Sequence, residues 1–305
     1  MEIADTEYDE NNGEYLITVL TLKWVYMLSG VTASSWRRIS TIYFTVKGLT
    51  PLQIGVLEGI NLLCKLFTTP FWAYVSDKSR DKKDILLLCG FFSSTILCLF
   101  AFDSLVNQGL WAIYAISIGT ALFTNIRNLD PYALEILGKK SKTWGQLRVW
   151  TTMSFGLGNL VFVSIYQFTE TFKYNFLIFY ICNSTILFLI WKNFPEHTKA
   201  EDLVSSDQVR FSDVWEIIGE FKVVFFIFEM FIMNICSSLI GKLIFIYMLV
   251  ELESPVWVTG LVALITTIFE IPIFFFSEAI LNKFSYFTRL SIAMVAYMIR
   301  MVGYV

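Results

Sequence analysis

Arg37, Arg38, Glu58, Lys65, Glu229, Lys242, Glu270 and Arg300 all fall inside long apolar stretches of this chain. An ionisable side chain at the centre of a bilayer costs about 2.5–3.5 kcal/mol, so each calls for a reason. Counting along helices at about 1.5 Å per residue puts Arg37 and Arg38 at roughly the depth of Glu58, where they could pair across neighbouring helices. Lys65 follows Glu58 by two helical turns, so both belong to one face. Glu270 and Arg300 fall at one level near the midplane and can neutralise each other. Lys23, Asp103 and Glu278 lie near the ends of their runs and read as snorkelling groups. The bland reading of the whole set is structural ion pairing. Charges of both signs at mid-depth on several helices instead imply a polar internal cavity, a pathway for a polar solute or a proton.

The elements that carry these charges follow from hydropathy. Of 305 residues, 56% are hydrophobic and 16% charged, and the mean hydropathy is +0.61. A soluble domain carries about 25% charged residues. Nine apolar runs, near 16–45, 52–75, 84–106, 109–129, 147–168, 172–192, 221–249, 256–281 and 288–305, are mostly long enough to cross a bilayer core. Long Phe/Leu/Ile runs with few prolines predict helices, not short alternating barrel strands. The fold class is therefore all-α, a polytopic transmembrane helical bundle. Loop charge sets its orientation. Fourteen Lys and Arg residues fall in or beside the loops after the second, fourth, sixth and eighth runs, against only Lys47 and Lys173 in the alternate loops. That asymmetry predicts a cytosolic N-terminus in an integral, multi-pass membrane protein. Residues 1–15 are acidic and polar and read as a disordered cytosolic tail. Residues 16–192 hold six spans. Residues 193–220 form a cytosolic central loop, with an amphipathic helix around Phe211, Trp215 and Ile218. Residues 221–305 hold three spans. The sequon at Asn183 lies within a span and should escape glycosylation. Gly55/Gly59 and the Ser154, Gly156, Gly158 set read as close helix contacts.

Other chemistries are disfavoured. The net charge of −3 offers no footprint for nucleic acid. His197 stands alone, and the cysteines lie in apolar runs without a C-x-x-C pair, so neither a metal site nor a cofactor is expected. No nucleophile–base pair or phosphate-cradling glycine loop suggests an enzyme.

Two local motifs then carry a resemblance. Ala73-Tyr74-Val75-Ser76-Asp77-Lys78-Ser79-Arg80-Asp81-Lys82-Lys83 resembles the signature between helices two and three of the major facilitator superfamily, with Ala73 for its first glycine. The resemblance implies a cytosolic gate at Asp77, Lys78 and Arg80. Gly145-Gln146-Leu147-Arg148-Val149-Trp150, followed by Ser154-Phe155-Gly156-Leu157-Gly158, is similar to the start of helix five in the lactose-permease-like branch, with Gln146 for an Arg and Thr151 for a Gly. There the Arg pairs with an acid at the end of helix four, and Asp130 stands at the matching spacing. An aromatic that stacks on the sugar corresponds to Phe155. An acid in helix eight and an Arg in helix nine correspond to Glu270 and Arg300, and Glu270-Ile271-Pro272 resembles the E-x-P element of nucleoside–proton and MFS-1-like relatives.

The resemblance implies a major facilitator fold, here a six-helix half plus three helices of a second half, so a chain ending after the ninth helix is expected to be a truncated form. It implies alternating-access transport of a small polar solute, sugar- or nucleoside-like, by symport with a proton as coupling ion. Asp130, Arg148, Phe155, Glu270 and Arg300 would serve substrate binding and proton coupling, with Arg37, Arg38, Glu58 and Lys65 as cavity charges. The other reading is a non-transporting receptor or sensor on the same fold, or an inactive truncated product.

Overall fold

The computed structural model describes residues 7–37, 39–78, 82–123, 129–137, 144–194 and 219–303. These residues are helical throughout, apart from short connections, and no strand occurs among them. The helices are α1 (Glu7–Trp36), α2 (Ile39–Val46), α3 (Pro51–Lys78), α4 (Lys82–Cys98), α5 (Asp103–Val106), α6 (Leu110–Leu122), α7 (Leu129–Leu137), α8 (Trp144–Thr169), α9 (Lys173–Asn193), α10 (Phe221–Val250), α11 (Val256–Phe275), α12 (Ser277–Lys283) and α13 (Tyr286–Val302). Among the described residues, each of the nine apolar runs is mostly helical. Helices spanning Pro51–Ser76, Lys83–Ala101, Trp144–Thr169, Lys173–Asn193 and Val256–Phe275 are each long and apolar enough to cross a hydrocarbon core.

Two features differ from the hydropathy reading. The described part of the first helix runs from Glu7, so residues 7–15 of the acidic segment expected as a disordered tail are helical. The first span breaks between Trp36 and Ile39. Just before the break, Ser29, Thr32, Ser34 and Ser35 each donate their hydroxyl to the carbonyl three residues back. Such back-bonding bends helices and competes with their regular ladder. Beyond the fourth run, whose described helix is α6, Asp130 stands in the first turn of α7. The expected amphipathic helix around Phe211, and the lone His197, lie outside the described residues.

Helix α8 is the hub of the bundle. It packs chiefly against α1 and α11, while α9 lies along α1 and α4, and α6 along α3 and α4. Small residues permit this closeness. A Cβ added at Gly30 would strike Ser154 and the Thr151 carbonyl, and one at Gly158 would strike Ser34, so α1 and α8 touch backbone to side chain. On the far side of α8, a Cβ at Gly156 would come within 2.6 Å of Thr267 on α11. Gly55 and Gly59 behave differently. An added Cβ at either meets nothing within 4 Å, so they mark no close helix contact among the described residues.

Two apolar clusters hold the ends together. One gathers rings from five elements, with Trp36 stacked on Phe100 at 5.1 Å and Tyr43 edge-on to Phe172 at 5.2 Å. It includes the short helix α2, whose residues from Ile39 to Phe44 are all buried. Gly48, at φ +84°, closes α2 with bonds from its own N–H to the Thr45 carbonyl and from Leu49 N–H to the Phe44 carbonyl. The other cluster packs Leu22, Val25, Leu86, Ala133, Leu147 and Ile190 at the opposite end. Asn183 is buried within α9 and donates to the Gly90 carbonyl at 3.4 Å, which keeps the sequon within the helix packing.

Polar contacts at the ends fix which loops lie together. Asp103 accepts from Lys47 at 2.8 Å and pairs with Lys173 at 3.3 Å, joining the segments after the first, third and fifth spans. At the other end buried Lys83 donates to the Phe194 carbonyl at 2.9 Å, joining the segments after the second and sixth. These contacts have the odd–even alternation that the loop charges imply.

Candidate functional site

Along α8, Trp144, Arg148, Thr151 and Phe155 recur at intervals of four, three and four residues, which places them on one helix face. That face looks toward α1 and α7. Arg148 Nη2 lies 3.1 Å from Asp130 Oδ2. The other carboxylate oxygen, Asp130 Oδ1, accepts the Tyr26 hydroxyl at 2.7 Å. Trp144 closes the group twice over. Its indole N–H donates to the Tyr26 hydroxyl oxygen at 3.2 Å, and its ring lies 5.0 Å beneath the Arg148 guanidinium. Thr151 donates to the Tyr26 carbonyl at 2.9 Å, pinning α1 at this level.

Local chemistry explains why each residue stands where it does. Asp130 opens α7, where a carboxylate is favoured by the helix dipole, and Pro131 behind it is tolerated in a first turn. Tyr26 is 1% exposed, so its hydroxyl must find a partner, and Asp130 supplies it. Arg148 and Asp130 remain about one-third exposed, open to a ligand. The Arg148 Nε–H is buried and has no hydrogen-bond partner among the described residues. The arrangement thus combines a fixed guanidinium fork, a carboxylate and an indole face around an accessible opening. Such a set can hold hydroxyls or other acceptors.

The other expected site residues are distributed differently. Phe155 stands two turns beyond Arg148 on the same face and is half-buried. Glu270 is exposed on α11 and Arg300 is exposed on α13. The buried stripe of α11, Thr259, Gly260, Ala263 and Thr267, lies on α8, whereas Phe287, Leu290 and Met294 of α13 line a groove together with residues of α10. The contacts Gly260–Leu160, Gly156–Thr267 and Gly145–Ser277 run antiparallel and set Glu270 about one turn from the level of Arg148 on the adjoining helix. Glu58 is half-buried and Lys65 exposed on α3, and Arg37 is exposed at the α1–α2 break. Asp77 and Lys78 end α3. Arg38 and Arg80 lie outside the described residues.

Tyr26 and Trp144 are the residues that the motif reading missed. The heptad-like spacing from Trp144 to Phe155 was a usable signal for Trp144. Tyr26 had none, since it meets Asp130 across 104 residues of chain. No disulfide forms among Cys64, Cys89, Cys98 and Cys182, and no cluster of metal-ligating side chains occurs among the described residues.

A search of curated proteins finds no match to the chain. The profile of the MFS_1 like family matches residues 19–305, which takes in all the helices described here except the first turns of α1. With that match and its membrane-crossing helices, the chain is an integral, multi-pass membrane protein that belongs to the MFS_1 like family, within the major facilitator superfamily.

Proposed function

We propose that the protein is a secondary active transporter of a small polar solute, sugar- or nucleoside-like, coupled to protons. The observation that carries this reading is the Arg148–Asp130 pair, held by Tyr26 and Trp144 and still about one-third exposed. The pair keeps an opening through which a solute hydroxyl can reach the guanidinium fork and the carboxylate. Arrival of that acceptor weakens the hold of Arg148 on Asp130 and raises the proton affinity of the carboxylate, which links solute to proton. Glu270, about one turn from that level on α11, is the second acid in this scheme, with Arg300 sharing its role in substrate binding and proton coupling. Asp77 and Lys78 at the end of α3, with Arg80, form the cytosolic gate. The N-terminus faces the cytosol, and residues 16–192 and 221–305 act as two units that rock about the site.

The test is uptake by the full chain in proteoliposomes, with labelled sugars and nucleosides and an imposed pH gradient. Uptake is expected to depend on the gradient and to disappear in Arg148→Ala and in Asp130→Asn. Unchanged uptake in Arg148→Ala overturns the reading. Saturable solute binding with no flux under any gradient points instead to a receptor or sensor.

A further inference from the structure

Helix α8 is joined to its two main neighbours in different ways. Toward α1 it is stapled by hydrogen bonds, since Thr151 donates to the Tyr26 carbonyl at 2.9 Å and the Trp144 indole to the Tyr26 hydroxyl at 3.2 Å. Toward α11 it is joined by close approach. A Cβ added at Gly156 would come within 2.6 Å of Thr267, and one at Gly260 would lie 3.1 Å from the Leu160 Cα and 3.3 Å from the Asn159 backbone carbonyl oxygen. Buried hydroxyls on these two helices bond within their own turns. Thr152 donates to the Arg148 carbonyl, Thr259 to the Val256 carbonyl and Thr267 to the Ala263 carbonyl. None of these bonds crosses from α8 to α11, so all of them survive if the two helices part.

Where Gly260 presses on α8, one polar group is left over. Asn159 is 1% exposed, and its amino group donates to the Phe155 carbonyl at 2.6 Å. A carbonyl can only accept, which fixes the amino group toward it and the amide oxygen away from it. That oxygen is buried and has no hydrogen-bond partner among the described residues. Leaving a buried acceptor unmade is costly, and asparagine is a poor helix former besides. The closed seam would be better served by a residue without that oxygen. Its cost lasts only while the seam is closed, because water reaches the oxygen once α11 moves off α8. We infer that Asn159 is a built-in bias toward opening of the α8–α11 seam: its amide oxygen lacks a partner when the helices are packed and gains one when they part. This bias rests on the transport reading for its use, since two units that rock about a site need a joint that parts.

The test uses the full chain in nanodiscs, with its five cysteines changed to serine and a single cysteine placed on the seam by Thr259→Cys, a buried position. N-ethylmaleimide is expected to label it slowly, through opening. Asn159→Thr keeps a donor for the Phe155 carbonyl, as Thr152 and Thr267 keep one for theirs, and sets a methyl group in place of the amide oxygen. It should slow labelling at least about fivefold, and Asn159→Leu should do the same. At Ser34→Cys, buried against Gly158 on the α1 side of α8, neither substitution should change the rate. No labelling of Thr259→Cys, or an unchanged or faster rate in Asn159→Thr, overturns the inference. Equal slowing at Ser34→Cys also overturns it, because that marks a gain in stability of the whole fold. If Asn159→Thr does not purify as a folded protein, an unchanged rate in Asn159→Leu overturns it alone. These rates are read without solute, so a failure here is distinct from a failure of uptake.

Discussion

Arg148 is held by groups of three different kinds: a carboxylate, an indole face and, through Asp130, a phenol. Each makes a separate claim about the site. Removing the Tyr26 hydroxyl leaves the ring packing and deprives Asp130 of a donor. A hydrogen bond to a charged group is worth about 1.5–3 kcal/mol, and partial exposure lets water recover some of it. Tyr26→Phe is therefore expected to raise the KM for solute uptake by about an order of magnitude while the protein still purifies as a folded monodisperse species. Equal KM in the two proteins would show that the hydroxyl only fills space. Arg148→Lys gives a sharper contrast. A lysine keeps the charge but loses the planar fork and most of the stacking on Trp144, so uptake is expected to fall nearly as far as in Arg148→Ala. Full rescue by lysine would mean that charge alone matters. At this scale the sequence was informative where a motif preserved spacing within one helix, as for Arg148 and Phe155. It was silent on Tyr26, because nothing local to an apolar run marks which phenol meets a carboxylate 104 residues away. It left open which helices are neighbours at Glu270 and Arg300, since equal depth on two helices does not by itself place them side by side.

Elements are placed by close approach more than by charge, and two glycine sets separate the cases. Gly156 lies against Thr267, and no larger side chain fits there without moving α11 off α8. Gly156→Leu should cost about 1–3 kcal/mol through overpacking, read as a lower Tm in detergent and loss of uptake. Gly55→Ala, where the added methyl meets nothing, should instead hold or slightly raise the Tm, because glycine in a helix interior is about 0.5–1 kcal/mol worse than alanine. The reverse order would show that α3, not α11, is the tightly packed helix. The clamp between Lys47, Asp103 and Lys173 is polar, and its signature is pH. The hydrogen bond and charge of Lys47, with Lys173 adding to them, hold the Asp103 carboxyl below its ordinary value. A carboxyl with a lowered folded-state pKa stabilises the fold above its unfolded value, about 3.9, and loses that contribution as pH falls through the folded value. In a Tm series from pH 6 to pH 3, Asp103→Asn should therefore lie below the parent at the high end and converge on it at the low end. Because Asp103 is half-exposed, the gap should be small and should shrink in high salt. Parallel curves would assign the acid sensitivity to other groups. Hydropathy located these elements well but could not locate the break after Trp36. That break comes from hydroxyl back-bonding in a serine- and threonine-rich turn, which a hydropathy average does not see.

For the whole molecule, the decisive question is which ends of the helices share a side of the membrane. The loop charges divided the connections into two sets, and the folded chain brings the segments after the first, third and fifth spans together through Asp103. Lys83 and Phe194 meet at the opposite end. Parity was legible in the sequence because each apolar run must cross once, so a miscounted run would have scrambled every later loop. Sidedness relative to the cell is a further claim, since packing alone is indifferent to which end faces the cytosol. It rests on fourteen basic residues against two. The claim can be tested in a variant with Cys64, Cys89, Cys98, Cys182 and Cys236 changed to serine. Single cysteines are then returned at Asn107, beside the Asp103 clamp, or at Glu220, just before α10, both on exposed positions. A membrane-impermeant maleimide applied to intact cells should label the Asn107 variant and leave the Glu220 variant unlabelled until the membrane is permeabilised, if the protein resides in the plasma membrane. In an internal membrane the same two sites should separate in sealed vesicles, with Glu220 labelled from the cytosolic face. Labelling of both sites from one face would break the alternation, and with it the two-sided bundle in which Arg148 and Glu270 could serve a path across the membrane. Reversed labelling would keep that path and turn it around, placing the basic loops outside and showing that packing, not loop charge, governs insertion of this chain.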